Sequence, residues 1–249
     1  MPAAVEQMDF PVRIGQSHLV TTREERPIGK HPLSLAAMFG RCKWLPRGRH
    51  LFLAGDPFHH VHMVVNGSFK VYATSLDGEE QVLGFFLPGD TLGLEAAISQ
   101  THHYSAVALE DANVSELSLV RLQGELGNVK DQDRQELLQH LCFETIANNY
   151  IALRSRSTKF AEQRLSSFLL GLWDRHDAAT QAGGELSLTM SRQDIGDYLG
   201  LALGTISRTF AQLEQQMLLK VRCRSVQMLD LDSLRRLACS TQKLPVDHV

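Results

Sequence analysis

The chain lacks any cluster of cysteines that could organise a metal site or a disulfide framework. Its four cysteines, Cys42, Cys142, Cys223 and Cys239, lie far apart and form no Cys-x-x-Cys pair. This spacing argues against a disulfide-stapled secreted domain and against a thiolate zinc site. A reducing cytoplasm is the compartment that we expect for isolated thiols of this kind.

Long apolar runs and a strong charge of one sign are also missing. No stretch approaches the roughly 18 apolar residues of a membrane span, and the first residues do not have the pattern of a signal peptide. The net charge is −3, so binding to nucleic acid would need a local basic surface. With 249 residues, 43% of them hydrophobic, the chain can bury the core of one large domain or two ordinary ones.

Residues 44–120 have the pattern of an antiparallel all-β domain. Apolar and aromatic runs of strand length alternate with turn signals that recur about every eleven residues. The Asp-Gly pair predicts a tight hairpin between the runs on either side of it. The four turn signals are Ala54–Pro57, Asn66–Gly67, Asp77–Gly78 and Pro88–Asp90.

A stretch from about Lys130 to Lys159 contains neither glycine nor proline. As a helix it would span roughly 45 Å. One small domain cannot bury so long a stripe, which favours a dimer in which the helix packs on its twin; packing on its own β-domain is the alternative. The predicted dimerisation residues are Leu137, Leu138, Leu141, Thr145, Asn148 and Ala152.

Residues 191–213 have the pattern of two short helices broken at Gly200. In the second helix, the spacing predicts an inward stripe made of Leu203, Ile206, Phe210 and Leu213. The outward face is small and polar with one guanidinium, as a helix in a DNA major groove requires. A helical hairpin in an ordinary core is the alternative. The outward residues are Gly204, Thr205, Ser207, Arg208 and Gln212.

The run Asp194-Ile-Gly-Asp-Tyr-Leu-Gly-Leu201, followed by Thr205-Ile-Ser-Arg208, resembles the helix-turn-helix of the Crp/Fnr family of bacterial transcription regulators. The likeness is greatest to the Fnr branch, although that branch has a glutamate where this chain has Gly204. Three earlier segments, Phe52–Asp56, Asn66–Tyr72 and Phe86–Leu94, are similar to the signatures of the family's β-roll.

The resemblance covers about residues 45–240 and implies an α+β protein. It implies an N-terminal jelly-roll β-domain of the cyclic-nucleotide-binding type, a long dimerisation helix and a C-terminal winged helix-turn-helix. It also implies a homodimeric regulator that binds double-stranded DNA at a two-fold symmetric site and contacts RNA polymerase, and that is not an enzyme. The predicted divisions are a flexible arm over 1–30, the β-roll over 31–127, the dimerisation helix over 128–158 and the winged helix over 159–249.

The outward face of the second helix predicts how DNA is recognised. Arg208 can present two parallel N–H donors to a guanine, or clamp a phosphate instead. Ser207 can contact a base edge or a phosphate. In the family the residue at Gly204 is a glutamate that accepts from cytosine, so we expect an altered or relaxed site preference, or compensation by Thr205. Four basic residues are predicted to contact phosphates: Arg192, Lys220, Arg222 and Arg224.

The β-domain lacks the chemistry of the family's two best-known sensors. No Lys or Arg lies between Lys70 and Arg121, and that stretch holds eight acidic residues, which argues against a bound cyclic nucleotide. The four-cysteine iron–sulfur site of the Fnr branch is also missing, because no cysteine precedes Cys42 and Ser115 stands where the family has its fourth cysteine. No cofactor is therefore predicted, and a regulator without a small-molecule effector is a further alternative.

Histidines and one cysteine suggest other chemistry. His60 and His62 would share one strand face at a chelating spacing, so a cupin-like metal-binding β-roll is the alternative function. A cupin-like site has a glutamate a few residues after the histidines, and this chain has Asn66 there. The histidines are therefore expected to be ordinary exposed polar residues without a carboxylate nearby. Cys223 lies between two arginines, where positive charge favours a thiolate, which makes it a candidate redox switch or else an inert turn residue.

Overall fold

The computed structural model describes residues 40–97, 99–118, 160–175 and 184–239. The first two ranges form a β-domain with the strands β1 Arg41–Leu45, β2 His50–Phe52, β3 His60–Asn66, β4 Phe69–Thr74, β5 Glu80–Phe86, β6 Thr91–Leu92, β7 Ser105–Ala108 and β8 Ala112–Ser118. They form two four-stranded antiparallel sheets with the orders β1-β8-β3-β6 and β2-β7-β4-β5. A short 3-10 helix, Leu94–Ala96, follows β6.

The turns lie where the sequence predicts them. Strands β4 and β5 form the predicted hairpin, with Phe69 opposite Phe86 and Thr74 opposite Glu80. Gly78 closes it with a φ of 82°, a conformation that glycine adopts without strain. At Gly67 a Cβ atom would lie only 2.6 Å from the Cβ of Ala112, so this turn also requires glycine for close approach.

The last two ranges form a winged helix. Its elements are α1 Ala161–Trp173, β9 Glu185–Ser187, α2 Arg192–Leu199, α3 Leu203–Gln215, β10 Leu219–Arg222, β11 Ser225–Met228 and α4 Leu231–Cys239. The three strands form a small antiparallel sheet with the order β10-β11-β9. Helix α1 precedes this sheet, α2 and α3 connect β9 to β10, and α4 follows β11.

Helix α2 begins and ends through specific backbone contacts. At its start, Ser191 and Asp194 form a reciprocal capping box. At its end, Gly200 adopts a left-handed conformation with φ 66°. A Cβ atom on Gly196 would lie 2.6 Å from the carbonyl oxygen of Leu201, so only glycine lets the turn close onto the helix. These contacts set the angle at which α3 leaves the turn.

The β-domain has its own apolar core, but Val82 and Phe85 on β5 belong to the core of the winged helix. The ring of Phe85 on β5 lies 5.8 Å from that of Phe168 on α1 and 5.4 Å from that of Tyr198 on α2, measured between centroids. Gln81 Nε2 also donates to the carbonyl oxygen of Asp197 at 2.8 Å. The β4–β5 hairpin is therefore the part of the β-domain on which the helix-turn-helix packs.

Some predicted elements lie outside the described residues, and one observed helix was not predicted. The N-terminal arm and the dimerisation helix, with the six residues of its stripe, lie outside the described residues. Helix α4 was not predicted, although Leu231, Leu234 and Ala238 have helical spacing and Asp230 caps it by accepting from the Ser233 amide at 2.9 Å. Among the helices that the structure describes, none combines the length and apolarity needed to cross a bilayer.

Candidate nucleic-acid interface

Helix α3 has one buried face and one exposed face. Ile206, Phe210 and Leu213 are buried, as the spacing predicts. Thr205 lies partly buried at the edge between the two faces, and Thr209 is buried with its hydroxyl donating to the Thr205 carbonyl at 2.8 Å. The exposed residues include Gly204, Ser207, Arg208 and Gln212, all of them predicted to face outward.

Leu203 does not belong to the inward stripe, contrary to the sequence prediction. Its side chain is 46% exposed, and its neighbours Ala202 and Gly204 are exposed as well. Helical spacing places Leu203 in line with Ile206 and Phe210, but Leu203 is the first residue of α3 and lies exposed at its end. Periodicity cannot detect this, because it reports direction around a helix and not where the neighbouring elements end.

The polar side chains of this face are folded back onto their own helix. Ser207 Oγ donates to the Leu203 carbonyl at 3.1 Å, and Arg208 Nε donates to the Gly204 carbonyl at 3.2 Å. A second guanidinium nitrogen of Arg208 lies 3.5 Å from Thr205 Oγ1, at the limit of a hydrogen bond. These contacts are local and exposed, so a base edge could replace them at small cost.

Gly204 occupies open space on this face. A Cβ atom added to its backbone would meet nothing within 4 Å, and its φ is not in the left-handed region. The fold therefore does not require glycine at this position. A helix accepts other residues here more readily than glycine, which costs roughly 1 kcal/mol relative to alanine inside a helix.

Arg192 has a different environment from the other predicted phosphate contacts. Its guanidinium carbon lies 3.3 Å from the ring centroid of Phe210, so the side chain ties the start of α2 to the middle of α3. Burial lowers the pKa of Arg192, and its Nη1 is buried without a hydrogen-bond partner among the residues that the structure describes. A phosphate contact by Arg192 stays a prediction, and the stacking geometry adds a packing role.

The wing presents its basic residues to solvent. Lys220, Arg222 and Arg224 are all exposed on the hairpin of β10 and β11, where Arg222 pairs with Ser225. Cys223 is exposed at the tip of this hairpin in a left-handed conformation with φ 50°. The three cations and α3 thus belong to one small domain. In it the cations could contact a DNA backbone while α3 lies in a groove.

Two histidines of the β-domain are not the exposed residues that the sequence predicts, whereas His59 and His103 are exposed as expected. His62 and His102 are buried, and each stacks on Phe52, with ring centroids 6.1 Å and 3.8 Å away. His102 Nδ1 lies 3.1 Å from Glu95 Oε1. Burial, aided by nearby Lys43, lowers the pKa of His62 to about 3, so this imidazole is neutral at physiological pH.

This arrangement gives no support to the cupin-like alternative. The rings of His60 and His62 are 6.1 Å apart and tilted, and His62 Nδ1 is 3.9 Å from Glu116 Oε1. Within residues 40–97, 99–118, 160–175 and 184–239, no three His, Cys, Asp or Glu side chains are grouped so as to hold a metal ion. His62 is buried in the β-roll, and His60 is only half-buried.

Comparison with known families divides the chain in the same order as the fold. Residues 42–127 match the cyclic nucleotide-binding domain, and residues 163–237 match the Crp-like helix-turn-helix domain.

Full-length relatives cover most of the chain. The transcriptional regulatory protein btr of Bordetella pertussis is 37% identical over 193 residues, covering 77% of this chain and 78% of that protein. The fumarate and nitrate reduction regulatory protein of Escherichia coli is 32% identical over 221 residues, covering 87% and 86%. The structure of FixK2 from Bradyrhizobium japonicum superposes with a TM-score of 0.71 at 28% identity, over 80% of this chain and 98% of that one.

Proposed function

The chain belongs to the Crp/Fnr family of DNA-binding transcription regulators, and from this premise we propose that it binds a two-fold symmetric DNA site as a homodimer. In each copy α3 lies in the major groove and the wing follows the backbone. The dimer forms through the helix proposed over 128–158, and the bound protein contacts RNA polymerase. The protein is a regulator and not an enzyme.

The exposed face of α3 is the observation that supports this proposal most directly. Ser207 and Arg208 lie on the exposed face of a helix whose opposite face is fixed by three buried apolar side chains, so their backbone positions are set before DNA arrives. Arg208 recognises a guanine, Ser207 a neighbouring base edge or phosphate, and Thr205 borders them. Gly204 supplies no acceptor for cytosine, so the preferred half-site differs from that of relatives with glutamate, or is less stringent.

Regulation by cyclic AMP is not part of the proposed function. Between Lys70 and Arg121 the chain has no cation to neutralise a cyclic phosphodiester. Lys70 itself is engaged, because its Nζ lies 2.9 Å from Asp194 Oδ1 and 3.0 Å from Glu80 Oε2. We expect saturating cyclic AMP to leave the DNA affinity unchanged.

A four-cysteine iron–sulfur cluster is also not part of the proposed function. Cys42 lies on β1 opposite Ser115 of β8, while Cys223 and Cys239 lie in the winged helix. Such clusters need four thiolates on one site. These three thiols belong to two different domains, so they do not form one four-thiolate site.

Selection of bound duplexes from a random DNA pool tests the proposal. We expect enrichment of a two-fold symmetric site, and a complex with two chains per duplex by light scattering. Failure to enrich any symmetric site, or a complex with one chain, would contradict the homodimer proposal.

Oxidation at the wing is a proposed means of control. Cys223 is exposed between Arg222 and Arg224, and a sulfinate there would place negative charge beside the DNA phosphates. Peroxide should weaken DNA binding of the wild type but not of Cys223→Ala, with Cys239→Ala as the matched exposed-cysteine control. Equal loss in all three proteins would show that Cys223 is inert.

A further inference from the structure

Arg175 lies in the interface between the β-domain and the winged helix. It follows the last turn of α1, and its side chain is only 11% exposed. Its guanidinium forms an ion pair with the Asp90 carboxylate, and its Nη1 donates to the carbonyl oxygen of Phe85 at 3.2 Å. Both partners belong to the β-domain, so one side chain of the winged helix is held at two points of the other domain.

Asp90 is itself fixed within the β-domain. Its Oδ2 accepts from the amide of Leu87 at 2.7 Å, and its own amide donates to the Leu87 carbonyl at 3.0 Å. Its carbonyl oxygen accepts from the amide of Val64 on β3 at 2.9 Å. The turn after β5 is therefore tied to the other sheet as well, and the guanidinium bound to it takes its position from the whole β-domain.

The burial of this ion pair favours one orientation of the two domains. The Asp90 side chain is 14% exposed. Burial lowers the pKa of Arg175 to about 10, so its guanidinium is still charged at neutral pH. A tilt of one domain that kept the interface closed would leave a buried charge without its partner, which is strongly unfavourable. The pair thus selects a geometry more than it adds affinity between the domains.

The rest of the domain interface is apolar and hydrogen-bonded. Val82 and Phe85 lie in the core of the winged helix. Ser68 Oγ lies 2.7 Å from Thr189 Oγ1, just before α2, and Gln81 donates to α2 itself. Domains of one chain usually move relative to each other unless their interface is large and apolar. This interface combines apolar burial with a buried ion pair, so we expect it to hold one angle.

The same interface leaves the DNA-facing surface accessible. The β-domain contacts α1, α2 and the segment before α2, whereas Ser207 and Arg208 on α3 and Arg222 on the wing are exposed. In a two-fold symmetric dimer, the angle of each winged helix on its β-domain sets the distance and the rotation between the two α3 helices. A fixed angle therefore predicts one preferred spacing between the half-sites.

We propose that Arg175 and Asp90 are positioning residues that set the spacing of the two half-sites, by holding each winged helix at one angle on its β-domain without an effector. The inference rests on the proposed function, because it requires a homodimer on a two-fold symmetric DNA site. It gives the β-domain a part in DNA recognition that requires no contact between either residue and DNA.

A series of duplexes that differ only in spacer length tests this inference. The half-sites of the selected site are kept, and the spacer between them is changed by one and two base pairs in each direction. One base pair moves a half-site by about 3.4 Å and turns it by about 35°. The Kd is measured at one fixed salt concentration without added ligand. For the wild type we expect each change of one base pair to weaken binding about 10-fold or more, because both half-sites are no longer engaged together.

Arg175→Met removes the cation and should tolerate the altered spacers, with a loss of about 3-fold or less per base pair. It should keep the guanine preference that depends on Arg208, which shows that the winged helix is folded. If Arg175→Met does not fold, Asp90→Asn decides, because the amide oxygen can still accept from the Leu87 amide while the ion pair is lost. It should relax the spacing preference in the same way.

The matched control is Arg235→Met. It breaks an ion pair that lies within the winged helix, where Arg235 Nη2 is 3.5 Å from Asp174 Oδ1, the residue next to Arg175. This variant should discriminate among the spacers as the wild type does. Equal relaxation in Arg235→Met would overturn the inference, because the effect would then come from lost stability of the winged helix and not from the domain interface.

The remaining outcomes separate this inference from the proposed function. If the wild type enriches no symmetric site, the proposed function and this inference both fail. If it binds a symmetric site but tolerates the altered spacers, only the positioning role of Arg175 and Asp90 is overturned. The same conclusion follows if the folded variant of this pair discriminates among the spacers as the wild type does.

Discussion

Lys70 on β4 forms an ion pair with Asp194 on α2, with 2.9 Å between Nζ and Oδ1. The other carboxylate oxygen of Asp194 accepts from the amide of Ser191 at 3.0 Å as part of the helix cap. One carboxylate thus caps the first helix of the helix-turn-helix and joins it to the β-domain. Both side chains are largely buried, with 14% and 16% of their surfaces exposed. The orientation of α2, and through it of α3, therefore depends on a residue of the β4–β5 hairpin.

Removing this cation should destabilise the protein. In Lys70→Met the Asp194 carboxylate remains largely buried without its partner, and we expect the free energy of unfolding to fall by about 1–3 kcal/mol. Denaturant unfolding measures this. The matched control is Lys43→Met, because Lys43 is 46% exposed and its Nζ lies 3.9 Å from Glu116 Oε1; its effect should stay within about 1 kcal/mol. Equal losses in the two variants would contradict a special role for the Lys70–Asp194 pair.

The same pair should make stability depend on acid pH. Burial by itself would raise the pKa of Asp194, but hydrogen bonds from Ser191 and Lys70 outweigh it and hold this pKa below 3.8. Because the folded-state pKa is depressed, the stabilisation is present above about pH 3.8 and is lost as the pH falls through the folded-state value. Urea unfolding from pH 6 to pH 3 should show a steeper loss for the wild type than for Lys70→Met, in which only the Ser191 contacts remain. Parallel curves would mean that Lys70 does not depress the pKa of Asp194.

Local signals in the sequence were sufficient for the turns, the β4–β5 hairpin and the helix-turn-helix. Gly78 and Gly200 occupy left-handed positions, and such positions are visible in a sequence because few residues other than glycine adopt them. The buried face of α3 also follows from spacing, with Ile206 and Phe210 as examples.

Contacts between distant parts of the chain could not be predicted in this way. Lys70 and Asp194 are 124 residues apart, and in the sequence neither differs from an ordinary charged residue of the surface. His62 and His102 are polar residues that the packing of Phe52 places in the core. Leu203 has the spacing of a core residue but is 46% exposed at the start of α3.

Gly204 offers a test of stability and of specificity at one position. Because a Cβ atom there meets nothing within 4 Å, Gly204→Ala should raise the free energy of unfolding by up to about 1 kcal/mol and leave site preference nearly unchanged. Gly204→Glu adds a carboxylate that can accept from a cytosine N4 amino group, so it should create a preference of about 1–3 kcal/mol for one C·G pair per half-site. Selection with each variant measures this. Identical preferred sites for Gly204→Glu and the wild type would show that the position does not face a base.

Substitutions of Arg208 and Arg222 should change different properties of DNA binding, because Arg208 is proposed to contact a base and Arg222 a phosphate. Arg208→Lys keeps the charge but loses the paired donors of the guanidinium, so discrimination at one G·C pair per half-site should fall by about 1–3 kcal/mol while the salt dependence stays the same. Arg222→Gln should weaken binding to all sequences alike and reduce the slope of log K against log salt by about 0.9 per lost contact. Binding titrations at several salt concentrations, on the selected site and on single-base variants, separate the two effects. If Arg208→Lys leaves the G·C preference intact and Arg208→Gln lowers the salt slope as Arg222→Gln does, then Arg208 clamps a phosphate and base recognition depends on its neighbours.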